Sequence, residues 1–125
     1  MKELSVAEWN IMESLWEDSP KVGSRVVSDM AIRTGWSRST TLTMLKRMTQ
    51  KGLIACEESG QIKAYVSLVD REEAVKKETE SFLNRVYHGS VSMMLNGFVE
   101  KQRLSREDIR ELREILEKAE DEYHD

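Results

Sequence analysis

One proline, one cysteine and two phenylalanines stand in 125 residues, and each scarcity excludes something. With Pro20 the only proline, hardly any stretch is barred from helix, since proline removes a backbone donor and clashes with the preceding turn. Cys56 alone cannot close an internal disulfide or build a thiolate metal site, which points to a reducing, cytoplasmic setting. No apolar run approaches the roughly 18 residues that would span a bilayer, and the opening MKELSVAEW lacks the basic-then-apolar pattern of a secretory signal. No membrane partner is expected. A Gly-rich phosphate loop, a Ser/His/Asp order and carboxylate pairs away from solvated helix faces are all missing, so the chain does not read as an enzyme. His88 and His124 have no partners at ligand spacing, and neither a metal nor a cofactor is expected.

Charged residues make up 34% and hydrophobic residues 39%, as in a helix-rich domain, or a small domain with an appended element. The net charge is -4, but it is unevenly placed. Lys plus Arg against Asp plus Glu number 4 and 6 over residues 1–35, 5 and 2 over 36–69, and 10 and 15 over 70–125. Only the middle third is basic. A local positive patch on an acidic chain can dock on phosphates without indiscriminate sticking.

Ser5 followed by Glu8 is a capping-box pattern, and Trp9, Met12, Leu15 and Trp16 recur at helical spacing, predicting a helix over about 6–17. Ser19-Pro20 ends it. Ser24 is the expected cap of a second helix whose Val26, Val27, Met30 and Ala31 form one apolar face before Gly35. Ser37 caps a third, with Thr41, Met44, Leu45 and Met48 inward and Gly52 as its stop. LIACEESGQIKAYVSLV then reads as one hairpin around Ser59-Gly60. Asp70 with Glu73 opens a long amphipathic helix carrying Val75, Thr79, Phe82, Leu83 and Val86. Val91, Met94, Leu95 and Phe98 mark a short one, and Ser105 with Asp108 starts the last, with Ile109, Leu112, Leu116 and Ala119.

The fold class predicted is mainly α: a winged helix-turn-helix over residues 1–69, followed by a three-helix dimerisation region over 70–125. The last helices have no other surface on which to bury Phe82, Leu83, Val86, Leu95, Phe98, Leu112 and Leu116, so a homodimer is expected, with the Met93-Met94 pair adding plasticity to the interface.

Between Trp36 and Ile54 the sequence WSRSTTLTMLKRMTQKGLI holds Arg38, Lys46, Arg47 and Lys51 and no carboxylate. With the apolar set turned inward, a helix there presents Ser39, Thr40, Leu42, Thr43 and Lys46. Short hydroxyl side chains let a backbone approach phosphates and base edges, and a helix N-terminus attracts phosphate. The absent counter-charge is then the backbone of a double-stranded DNA operator. Ser37, Arg38, Ser39, Thr40, Leu42, Thr43, Lys46, Arg47 and Lys51 are the candidate contacts, with Lys63 added from the wing. Leu42 is either a partly exposed bystander or an apolar contact for a thymine methyl. Trp36 is expected to pack on the second helix, and Cys56 to be a small half-buried strand residue rather than a redox sensor. The competing function is a winged helix used only for protein contacts and assembly, without specific DNA binding.

LSVAEWNIMESLW, GWSRSTTLTMLKRMTQKGLI, AYVSLV, FLNRVYHGS and NGFVEKQRLSREDIRELREIL together resemble the penicillinase and methicillin-resistance repressors of the BlaI/MecI family, which also holds copper-responsive CopY-type members. The likeness runs from Leu4 to about Lys118. It implies a homodimeric repressor on inverted-repeat operators, with Ser37, Thr40, Thr43 and Arg47 in the recognition helix and Lys51 closing it. Ser39 and Leu42 stand where relatives often carry Lys or Arg, and Glu57-Glu58 make the wing acidic. In relatives under β-lactam control, derepression involves a regulatory sensor protease and cleavage of an Asn-Phe bond. The aligned pair here is Gly97-Phe98, with Asn96 one place earlier. EKAEDEYHD holds none of the cysteine motifs of CopY-type members, so copper sensing is not expected.

Overall fold

The computed structural model describes residues 3–123; His124 and the outermost residues of the two expected domains lie outside that range. Helix α1 spans Val6–Glu17 and opens on a complete capping box, in which the Ser5 hydroxyl accepts the Glu8 N–H at 3.1 Å and the Ser5 N–H donates to Glu8 Oε1 at 2.8 Å. Its Ile11, Met12 and Leu15 are fully buried.

Helix α2, Gly23–Thr34, differs from expectation at its start. Val22 holds the N-cap position without a side-chain bond, and Ser24 lies inside the first turn, where its carbonyl accepts the Ser28 hydroxyl at 3.1 Å. The reason is strand β1, Lys21–Val22, which pairs antiparallel with the wing and delivers the chain directly into the helix. Two residues are too few to show alternation in a sequence. Of the four residues expected on the inner face of α2, Val26 and Met30 are buried, Val27 is half-buried and Ala31 is exposed.

Helix α3, Arg38–Lys51, follows a left-handed stop at Gly35, where φ is 77° and the N–H bonds the Met30 and Ala31 carbonyls at 3.1 Å. Ser37 caps α3 by accepting the Thr40 N–H at 3.2 Å. Thr41, Leu45 and Met48 are fully buried, and Met44 sits half-buried at the edge of the core. Gly52, with φ 81°, ends the helix and lets Leu53 donate to the Met48 carbonyl at 3.0 Å.

Strands β2, Ile54–Ser59, and β3, Ile62–Ser67, form the hairpin around Gly60-Gln61, and the sheet order is β1-β3-β2. The chain divides into two compact units, Met1–Thr79 and Glu80–Asp125. The division falls inside helix α4, Arg71–Tyr87, rather than ahead of it, because Ala74 in its first turns is buried in the core of the first unit. Asp70 caps α4 by accepting the Glu73 N–H at 3.2 Å, and Trp16 Nε1–H donates to the Val69 carbonyl at 2.9 Å.

A buried cation lies within the first unit. Lys21 is 3% exposed, and all three of its ammonium donors are used: on the Ser14 carbonyl at 2.8 Å, Ser14 Oγ at 3.0 Å and Asp29 Oδ2 at 2.7 Å. The Ser14 hydroxyl donates in turn to Asp29 at 2.7 Å. The triad ties α1, β1 and α2 together in satisfied polar bonds.

In the second unit, α5 spans Val91–Glu100 and α6 spans Arg106–Glu122, capped by Ser90 and by a Ser105/Asp108 capping box. Phe82 and Tyr87 meet edge to face at 5.8 Å. None of the described residues beyond Thr79 is buried.

Candidate nucleic-acid interface

The inward anchoring of Thr41, Leu45 and Met48 fixes which side of α3 faces out. Arg38, Ser39, Thr40, Leu42, Thr43, Lys46, Arg47 and Gln50 are all exposed there. At its N-terminal end the hydroxyls form a local chain: Ser37 Oγ lies 3.2 Å from Ser39 Oγ and donates to Thr40 Oγ1 at 3.0 Å, while Thr43 donates to the Ser39 carbonyl at 2.8 Å. That last bond commits the Thr43 proton, leaving acceptor capacity and a methyl group for a base edge. Among the described residues, Arg38, Lys46 and Arg47 have no ion-pair partner, whereas Arg25, Arg33 and Arg71 of the same unit pair with Asp18, Glu17 and Glu13.

The structure places Lys51 differently from the other candidates. Its ammonium lies 2.8 Å from Glu8 Oε2, on a carboxylate whose side chain is 6% exposed. Glu8 thus uses one oxygen to cap α1 and the other to hold the C-terminal end of α3. The Lys51 charge, expected on a phosphate, has a carboxylate partner within the chain, while the side chain itself stays 61% exposed. From the sequence Glu8 is legible only as a cap, because its partner lies 43 residues away. Lys63, on β3, is exposed and 3.8 Å from Glu58 across the wing.

Two carboxyls in this unit are held below their ordinary values. For Asp29 the largest cause is the Lys21 hydrogen bond, followed by that from Ser14. For Glu8, burial pushes upward, and the bonds from Lys51 and Ser5 together outweigh it. A depressed folded value means stabilisation that is fully present above the ordinary values, 3.8 for Asp29 and 4.5 for Glu8, and lost as pH falls through the folded ones. The expected melting temperature is flat from pH 7 to about 5 and falls below about 4. Asp29→Asn should start lower and show a shallower acid limb in circular-dichroism melts; an unchanged limb would show that Asp29 carries no linkage.

Between α3 and the wing runs a groove of about 350 Å³, lined by Val22, Ser24, Arg38, Leu42, Gln61, Ile62, Lys63 and Tyr65. Only Arg38, Leu42 and Lys63 of these are legible as site residues in the sequence; the others come from β1, α2, the hairpin tip and the body of β3. Register supplies Tyr65, which stands opposite Cys56 in the hairpin and opposite Lys21 in β1. Its hydroxyl is pushed up by burial and then by Cys56, which is half-buried, as expected. Trp36 packs at the edge of the core.

In the second unit, Leu95, Leu112 and Leu116 come together with Val99, Leu104 and Ile109 along a groove of about 600 Å³. Leu83 is half-buried, and Phe82, Val86 and Phe98 are exposed. Gly97 and Phe98 lie within α5. Among the described residues no helix is long and apolar enough to cross a membrane.

Three helices, a hairpin that lies beside the third, and a cationic hydroxyl-rich face on that third helix define a winged-helix DNA-binding module. Its fold matches the solved DNA-binding domain of the repressor BlaI with a TM-score of 0.51 and 28% identity, over 58% of this chain and 93% of that one. Residues 4–118 match the family model described as Penicillinase repressor. The methicillin resistance regulatory protein MecI of Mammaliicoccus sciuri is 34% identical over 116 residues, covering 93% of this chain and 94% of that protein. The penicillinase repressor of Bacillus licheniformis is 33% identical over 115 residues, covering 92% and 90%. The chain belongs to the penicillinase repressor family, whose members are DNA-binding repressors and not enzymes.

Proposed function

We propose that this protein represses transcription as a homodimer on an inverted-repeat operator, with α3 in the major groove of each half-site and the hairpin against the backbone. The observation that carries this reading is the outward face of α3, where Arg38, Lys46 and Arg47 stand without carboxylate partners among the described residues, beside a row of short hydroxyls. Half-sites about 10 base pairs apart suit a two-fold dimer of such modules. Dimerisation through the second unit is supported by its unburied apolar side chains, among them Phe82, Phe98 and Leu116. A sensor protease acting at Gly97-Phe98, the partner that the resemblance implies, would meet a helical bond inside α5 and would need that helix opened first.

The test is salt dependence. Arg38, Lys46, Arg47 and Lys63 supply three or four phosphate contacts per subunit, so log affinity against log salt should slope between about -5 and -7 for the dimer. Arg47→Ala should weaken every duplex alike and make the slope about 2 shallower, one contact being lost from each subunit. Lys51→Ala should leave the slope nearly unchanged, because Glu8 already balances that charge. A slope near zero in fluorescence-anisotropy titrations would sink the reading.

A further inference from the structure

The groove between α3 and the wing carries more than backbone contacts. Leu42, 38% exposed on α3, and Ile62, 60% exposed at the hairpin tip, line it together with the ring of Tyr65. Arg38 and Lys63 bring a cation from each side, and Ser24 and Gln61 add polar groups. Single exposed apolar residues are ordinary. Two of them meeting in one groove, each next to or one turn from an unburied cation, form an amphipathic slot.

Duplex DNA offers one group that fits such a slot. The thymine C5-methyl is the only apolar projection in the major groove, and it lies at the groove's outer edge, beside the backbone of its own strand. A groove lined by two apolar side chains and two cations suits that methyl and the neighbouring phosphate together. We infer that Leu42 and Ile62 form a shared thymine-methyl pocket, with Arg38 and Lys63 holding the adjacent phosphate, so that the wing contributes to base reading. Ile62 then becomes a specificity-determining residue outside the recognition helix. The inference rests on the operator-binding reading above.

Selection from a randomised duplex pool first yields the sequence that the full chain binds. Each thymine of that duplex is then replaced by deoxyuridine, which removes only the methyl, and each replacement is titrated against the parent protein, Leu42→Ala and Ile62→Ala. One thymine per half-site should lose about four-fold in affinity as uracil, the effect of one apolar carbon leaving a dry contact. Both variants should bind the thymine and uracil forms equally at that position. The readout is a ratio within one protein sample, so a general loss of affinity does not mimic it, and circular-dichroism melts confirm folding at these exposed sites. If no thymine is sensitive, or either variant keeps the sensitivity, the pocket is overturned while the operator reading stands. If selection enriches no sequence, both fall together.

Discussion

Phe98→Asp should turn the proposed dimer into monomers and lower affinity for a two-half-site operator by about 100-fold or more, while each monomer should keep a weak, salt-sensitive hold on any duplex. The expectation follows from burial. Fully burying a side chain of this size is worth roughly 1.5 to 3 kcal/mol, yet none of the described residues of the second unit is buried in the single chain. Phe98 stands on α5 at 37% exposure, and Val91 and Val99 on the same helix are 53% and 56% exposed. Such an apolar load is unusual for a free surface and ordinary for half of an interface. A carboxylate placed there must either be desolvated or hold the surfaces apart. Once they part, the second half-site no longer sits at a high effective concentration, and the linked gain of 10² to 10⁴ disappears. Sedimentation and anisotropy on one sample measure both effects. A variant that stays dimeric removes Phe98 from the interface, and a wild-type chain of 14.5 kDa in solution removes the interface itself.

Asp29→Ala should be the most destabilising polar change in the first unit. It leaves the ammonium of Lys21, 3% exposed, facing only the neutral carbonyl and hydroxyl of Ser14. Removing one partner of a buried pair costs 3 to 5 kcal/mol in general. Because the Asp29 side chain is itself 32% exposed, the low end applies, about 3 kcal/mol. In a unit of this size that is a fall of roughly 12 to 24 °C in melting temperature. Adding Lys21→Met should recover most of the loss, since an apolar side chain of similar length needs no counter-charge. If Asp29→Ala melts within about 2 °C of the parent, the triad does not hold α1, β1 and α2 together.

The helices were readable in the sequence because their signals are local. Ser5 with Glu8, Ser37, Ser105 with Asp108, and the glycines at 35 and 52 act within four residues of where they stand. The outward face of α3 was readable for the same reason, once its inner stripe was known. What escaped is what depends on distant partners. Strand β1 exists only because Lys21 and Val22 find Tyr65 and Ala64. The role of Lys51 depends on Glu8, and the groove beside α3 is completed by Gln61 and Ile62 at the turn of the wing. Lys21 looks like any surface lysine until the fold closes over it.

The order β1-β3-β2 leaves the outer side of β2 as a free edge, with its backbone groups open to any strand that drifts alongside. Open edges of this kind are the usual starting point of sheet-to-sheet aggregation. Residues 57 and 58 on that strand are both glutamates, and both are exposed. Set against the proposed docking of the wing on DNA they look like a mistake, since carboxylates repel phosphate. Set against a neighbouring molecule they are a guard, because a second copy adding to that edge would bring its own carboxylates against them. On the proposed operator reading, the acidity of the wing gives up some attraction to phosphate in exchange for keeping its open edge apart from other copies.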